Sequence, residues 1–292
     1  MKQYRWLLAS ALSILLIGIL FTACQKDISG DENIPGGQAK LSIYLTDGPY
    51  DFDKVLVDIQ GILVKVDTCE KQGRHDDDDD DDDHDEYHDR RKDCDVWDTL
   101  QIRPGVYDLL TLRNGNDTLL ASGFIPRGEI EKIKFVLGTN NSIVVDSVSY
   151  PLRLKEDKNF IYIKVKHGDI DSISNNNFEM FLDFDVARSI RFVNGVYWLK
   201  PTLKPFCKSG SGEIEGKIRP VGSHGMIAAI MGSDSTFARP DHHEGEFKIR
   251  GLKEGTYSLY VDGINGYRDT LINNIQVRKG KETELKTITL QK

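Results

Sequence analysis

The sequence predicts an all-β protein, two β-sandwich domains in tandem behind an N-terminal leader. Three observations carry this. Apolar and polar residues alternate along many short runs punctuated by Gly, Asn and Pro. No segment after the leader sustains a 3.6-residue period. A small-residue run at Lys208-Ser209-Gly210-Ser211-Gly212 divides the chain of 292 residues, with a core-sized stretch on either side.

In chain order, residues 1–23 read as a signal peptide. Lys2 and Arg5 give a basic start, and 6–20 is almost wholly apolar over 15 residues. That length suits a signal peptide and falls short of the roughly 20 residues of a span. The small residues of Phe21-Thr22-Ala23-Cys24 resemble the bacterial lipobox, with Phe21 where leucine is usual. The resemblance implies a lipoprotein signal peptide and lipidation of Cys24, hence attachment to outer membrane lipid. Gln25-Lys26-Asp27 resembles the export signal of Bacteroidetes surface lipoproteins and implies exposure at the cell surface. Residues 24–38 are polar with Pro and Gly, and read as the lipidated Cys and a flexible tether.

The first sandwich is expected over 39–207. Leu41, Ile43 and Leu45 alternate with Ser42, Tyr44 and Thr46. Val55, Val57 and Ile59 share a face, and after Gly61 the apolar face switches to Ile62, Val64 and Val66. A one-residue shift of this kind predicts a β-bulge at Gln60-Gly61. Phe178, Met180, Leu182 and Phe184 alternate with Glu179, Phe181, Asp183 and Asp185. Further strands are expected at 96–100, 106–112, 130–137, 160–165 and 196–203, with short helical turns at 119–122 and 186–190. After the 208–212 linker, a second sandwich over 213–292 is expected from Ile214, Gly216 and Ile218 and from runs at 226–231, 246–250, 256–261, 271–277 and 283–290.

The net charge is −8, and −10 once Lys2 and Arg5 leave with the leader. The acids are concentrated. Residues 75–89 hold 11 of them with no Lys or Arg, and setting them aside leaves +1. The rest of the chain is near neutral, which argues against a nucleic-acid partner held through phosphates. This segment sits in an insertion at 70–93. Its residues His75, Asp76, Asp77, Asp78, Asp79, Asp80, Asp81, Asp82, Asp83, His84, Asp85, Glu86, His88 and Asp89 are the candidate metal ligands. Carboxylates suit Ca²⁺, and the histidines suit other divalent cations. Eight consecutive like charges also repel, and the run lacks the spacing of a defined calcium loop, so a solvated insertion is the default. Cys69 and Cys94 flank it, and a bridge between them would close its base. Cys207 is left as a competing or free thiol.

Several stretches resemble one bacterial family, domain of unknown function 4382. They are Leu45-Thr46-Asp47-Gly48-Pro49, Phe52 to Ile59, Tyr107 to Gly115, Leu182 to Asp185 with Ala187-Arg188-Ser189, and Leu199 to Leu203. The resemblance covers roughly 39 to 206 and implies a fold rather than an activity. The C-terminal part resembles carboxypeptidase regulatory-like domains, transthyretin-like sandwiches. The carrying residues are Gly212 to Gly216, Gly245 to Ile249, Gly251-Leu252, Gly255-Thr256-Tyr257 and Gly266-Tyr267.

Other candidate chemistry reads as structural. Asp47, Asp51 and Asp53 surround a turn, where Asp ordinarily bonds nearby backbone. Asp183 and Asp185 share a strand face and are expected on a polar outer surface or in a turn cap. His242-His243 is expected in a surface loop, and His167 and His224 in structural or exposed positions. Trp97 and Trp198 are expected in the core. Tyr50, Phe52, Tyr260 and Tyr267 are the aromatics expected near turns, free to stack on a sugar. No GxSxG, HExxH, GxxxxGKS or GxGxxG occurs. The chain therefore reads as a surface-anchored, non-enzymatic binding or adhesion module for a glycan or a surface protein, with no certain cofactor. The alternative is divalent-cation binding or calcium-dependent adhesion through the Asp/His-rich loop. The third is a glycoside-processing enzyme using Asp183 or Asp185.

Overall fold

A computed structural model describes residues 34–48, 52–69, 94–155, 158–165 and 177–292. The leader, Cys24, the tether and the whole 75–89 segment lie outside the described residues. The chain is all-β, a pair of sandwiches. Residues 35–292 form one compact unit with two hydrophobic cores.

The first core lies between a five-stranded and a nine-stranded sheet. In the five-stranded sheet, strands run in the order Leu203–Phe206, Asn177–Asp185, Gln38–Gly48, Thr118–Pro126 and Gln101–Ile102. The two central strands are parallel, so Leu45 pairs with Leu182, Thr46 with Asp183 and Gly48 with Asp185. Leu41, Ile43, Leu45, Met180, Leu182 and Phe184 point inward and are fully buried. Each such side chain contributes about 1.5–3 kcal/mol.

The nine-stranded sheet is built on Lys54–Asp67, a 14-residue strand. It pairs with Glu129–Leu137, Ser142–Val145, Asp95–Thr99 and Gly105–Asp108. Its register shifts between Ile59 and Gly61, the bulge that the sequence predicts. The strand therefore keeps Val55, Val57 and Ile59, then Ile62, Val64 and Val66, on one buried face. Phe160–Lys164 extends one side of the sheet. Val148–Leu154, Val196–Leu199 and Ile190–Val193 extend the other.

The second core lies between a four-stranded sheet on Gly212–Arg219 and another ordered Asp234–Ala238, His224–Met231, Gly255–Gly263, Thr270–Val277. Gly251 and Gly255 adopt positive φ, which only glycine holds without steric cost.

Several expectations are corrected. Residues 119–122 belong to the strand Thr118–Pro126, because pairing with Gln38–Gly48 overrides the helical bias of Leu-Leu-Ala. The run at 106–112 is a strand only to Asp108, whose carboxylate accepts from the Leu110 amide and starts a 3-10 turn. The run at 196–203 divides into two strands in different sheets. The hairpin Ser142–Val145/Val148–Leu154 and the strand Asp234–Ala238 are additions. The helical turn at 186–190 is present as Val186–Ser189.

Candidate functional site

Three regions bear on function: the neck of the acidic insertion, one open sheet face, and the seam between the sandwiches.

At the neck, Cys69 and Cys94 are joined by a disulfide with Cα atoms 5.5 Å apart. The Thr68 amide and hydroxyl both donate to the Cys94 carbonyl, at 3.0 and 2.9 Å. Asp67 accepts from the Cys69 amide at 2.9 Å. The ligands proposed from sequence at 75–89 lie beyond this neck, outside the described residues. Cys207 is buried and free.

Trp97 lies three residues past Cys94 on the outer face of the nine-stranded sheet. It is 41% exposed rather than core, and Tyr162 is 53% exposed. Across the sheet, Lys65 pairs with Trp97 and with Lys132, Lys132 with Lys164, and Lys134 with Tyr162. Trp97 and Tyr162 lean together to a ring separation of 6.0 Å. Phe160 meets Tyr162 edge-on at 5.3 Å, and the Lys134 ammonium sits 4.3 Å above the Phe160 ring. Lys65 beneath is paired with Asp95 and with Glu131. A second group sets exposed Tyr150 and Phe192 about the half-buried Tyr197, with ring separations of 5.4 and 4.6 Å. Trp198 is partly exposed. The aromatics expected from sequence are placed elsewhere. Phe52 and Tyr267 pack against the cores, Tyr260 donates to Asp269 at 2.6 Å, and Tyr50 lies outside the described residues.

The seam covers the outer face of the five-stranded sheet. Phe181 stacks on Tyr44 and on Phe206, each at 5.2 Å. The Arg250 guanidinium lies 4.7 Å from the Phe181 ring and reaches Asp117 at 3.1 Å and Glu213 at 3.5 Å. It also donates to the Gly115 carbonyl at 3.3 Å. Lys248 bridges Glu213, Glu215 and Glu282 at 3.2, 3.1 and 2.6 Å. Burial pulls its ammonium down, but hydrogen bonds to the three glutamates outweigh this and hold it above the usual lysine range.

Asp183 is half-buried beside this seam rather than on an open outer surface. Burial, and then the charge of Asp185, push its carboxyl up to about 7, against Lys204 and Arg250. Asp185 caps the Val186–Ser189 turn, accepting from the Arg188 amide at 2.9 Å, and pairs with the Arg188 side chain at 3.5 Å. Asp47 is only 6% exposed. Burial, and then Asp183, hold it well above the carboxylate range, against Arg113 and the Val186 amide. Among the described residues neither of its oxygens has a hydrogen-bond partner of ordinary geometry, and residues 49–51 of the expected turn lie outside them. Asp53 bonds distant backbone instead, accepting from Ser147 at 2.7 Å. A polar groove of about 990 Å³ opens beside the seam, bordered by Arg113, Lys217, His242, Glu246 and Glu284.

The remaining histidines divide as follows. Asp241 accepts from the His243 and Glu244 amides, both at 2.8 Å, and holds the exposed His242-His243 loop. His224 is buried, with neither ring nitrogen partnered among the described residues. Burial, and then the neighbouring His242, lower its pKa and keep it neutral. His167 lies outside the described residues. Among the described residues, no helix is long and apolar enough to cross a membrane.

Fold and faces define a tandem β-sandwich protein with one open aromatic face and one buried polar seam. The model of a domain of unknown function, DUF4382, matches residues 38–201, more than half of the chain, and the protein belongs to that family. No curated protein matches. Among solved structures, the chain is similar to the Bacillus anthracis TIE protein at 12% identity, covering 87% of this chain and 34% of that one, with a TM-score of 0.21. It thus spans about a third of that protein's length. It is similar also to GBS52, the minor pilin of Streptococcus agalactiae, at 12% identity over 87% of this chain and 96% of that one, TM-score 0.21. A candidate adhesin from Bacteroides ovatus matches at 10% identity over 93% and 98%, TM-score 0.22. At such scores these likenesses carry no argument about role.

Proposed function

We propose that this chain is a lipid-anchored surface protein of the outer membrane, without catalytic activity, that binds a glycan on the open face of its nine-stranded sheet. The observation that carries the reading is the Trp97–Tyr162–Phe160 cluster on the sheet, with Trp97 and Tyr162 exposed and Lys134 over the half-buried Phe160 ring. Large aromatics left in water at one place on a monomer mark an interaction surface. Flat rings beside cationic donors suit sugar rings, which offer C–H faces and polar edges. Cys24 is the anchor in this reading, residues 24–38 give reach, and the second sandwich is a carboxypeptidase regulatory-like accessory module.

The test is affinity electrophoresis and tryptophan-fluorescence titration of the chain from Gln25 onward against neutral and acidic polysaccharides. Trp97→Ala and Tyr162→Ala are expected to weaken binding at least about tenfold, a loss of about 1.4 kcal/mol, with the circular dichroism unchanged. The reading is abandoned if no polysaccharide retards the wild type, or if Trp97→Ala binds equally. Labelling with an alkynyl fatty acid, lost in Cys24→Ala, checks the anchor.

A second reading, calcium-dependent adhesion, is favoured by one observation: the insertion's disulfide neck ends three residues before Trp97. It expects glycan binding to need Ca²⁺ and to lose that need when His75–Asp89 is deleted.

A further inference from the structure

We infer that the polysaccharide held on the open face is an acidic one, with negative groups repeated along its chain. This rests on the glycan reading above and deepens it. The first argument is register. Trp97 stands opposite Lys65, Lys65 opposite Lys132, and Lys132 opposite Lys164. The adjacent row runs Thr99, Leu63, Lys134, Tyr162. Val64, Val66, Ile133 and Ile163 alternate with these lysines and are buried, so the lysine stems rise from the outer face. Lysines and the two exposed rings, Trp97 and Tyr162, thus share two neighbouring rows of one sheet.

The second argument is the cost of that row. Like charges directly opposite each other on a sheet destabilise it. At Lys65 the fold compensates, since Asp95 and Glu131 both pair with it. Asp67 beside them accepts from the Cys69 amide. Lys134 rests over the Phe160 ring. Lys132 and Lys164 pair with no carboxylate among the described residues. A lysine on an edge strand deters pairing with another sheet, and this accounts for Lys164 on Phe160–Lys164. Lys164 also borders a groove beside Asp185. Lys132 and Lys134 stand on Glu129–Leu137, an inner strand, where the edge reason does not apply. The inference turns on Lys132, a positive charge between two others with no carboxylate of its own.

The third argument is complementarity. Neighbouring strands lie about 4.8 Å apart, close to the length of one sugar residue. A polysaccharide crossing the strands can therefore set successive acid groups over successive lysines, with its rings against Trp97 and Tyr162. Lysine is a compact charge whose donors rotate, so it accepts carboxylate or sulfate in varied orientations, and no arginine stands in either row. The chain as a whole carries −8, so it has no general attraction for a polyanion. Attraction has to come from a local patch of this kind.

The test is fluorescence titration of the chain from Gln25 onward with two matched pairs of polymers: polygalacturonate and its methyl ester, and dextran sulfate and dextran. The salt is about 0.15 M, at which exposed charges more than about 8 Å away are largely screened. At least one acidic polymer is expected to bind at least about tenfold more tightly than its neutral counterpart. Lys132→Gln is expected to cut that preference about threefold, and Lys132→Gln with Lys164→Gln about tenfold. Should Lys132→Gln fail to fold, the exposed Lys164→Gln decides alone, with an expected cut of about threefold. The inference is overturned, and the glycan reading kept, if a neutral polymer binds as tightly as its acidic partner in a manner lost in Trp97→Ala. It is equally overturned by a preference that survives the lysine substitutions. Silence from all four polymers, or binding indifferent to Trp97→Ala, defeats the glycan reading and the inference with it.

Discussion

The two outward faces of the first sandwich are written in the same code and meet opposite fates. On the five-stranded sheet, Tyr44, Phe181 and Asp183 alternate with core residues; on the nine-stranded sheet, Phe160 and Tyr162 alternate with Ile161 and Ile163, and Trp97 lies on their face opposite Lys65. The first set lies under Arg250; in the second, Trp97 and Tyr162 remain open to solvent. Coverage turns Phe181 into a second packing layer and drives Asp183 up to about 7. Exposure leaves the Trp97 cluster available to a ligand. The lesson is that alternation sorts residues into two faces without saying which face is a surface.

The comparison breaks most readily at Arg250. It is 8% exposed and links two carboxylates to two rings. Arg250→Ala is expected to destabilise the protein by about 3–5 kcal/mol, since it removes the contacts with two rings and leaves the half-buried Asp117 without this ion pair. Urea unfolding checks this, and a loss under about 1 kcal/mol would mean that the seam is not a buried layer.

Asp183 sharpens the contrast through pH. Its folded pKa lies above the unfolded value of 3.8, so the folded state holds the extra proton between about pH 4 and 7. The stability it contributes is present at low pH and is lost as pH rises through 7, with an upper limit of about 4 kcal/mol. Unfolding free energies at pH 5 and 8 are expected to differ less in Asp183→Asn than in the wild type.

At the edge of the open face, replacing both Cys69 and Cys94 with serine removes a closed loop of 25 residues. The expected loss is about 3 kcal/mol on the chain-entropy model, read from chemical denaturation. The smallest effect belongs to Trp97. Trp97→Ala is expected to shift stability within about 0.5 kcal/mol, as at an ordinary surface position, while weakening glycan binding. A large destabilisation there would make the open face a structural layer and erase the contrast.

Much of this fold is legible locally. The face switch at Gly61 gives the bulge, and Phe178 to Phe184 give the inward row of the Asn177–Asp185 strand. The Asp185-Val186-Ala187-Arg188-Ser189 stretch gives the capped turn. The hairpin at 142–154 is not legible, because its turn is Asp146-Ser147 rather than Asn-Gly, with both residues at positive φ. A distant carboxylate, Asp53, holds the Ser147 amide. The strand at 118–126 is hidden for a similar reason, since its conformation comes from its neighbour. Of the candidate sites, the insertion's neck cysteines were nameable from sequence. The outward position of Trp97 is not legible, because nothing beside it in the chain says that its strand turns it outward.

The β class, the two apolar cores, the bulge and the concentration of acid in one insertion are all readable from the amino acids. All of these follow from residue spacing along one strand or one loop. Only the tertiary fold decides that Asp47 is buried and Asp183 half-buried, that Arg250 spans the seam and that Trp97 is not covered. The physical reason is distance along the chain. Periodicity reports what one strand does with its own two faces. What covers a face depends on residues as remote as 47, 114, 183 and 250, which meet only when both sandwiches have formed.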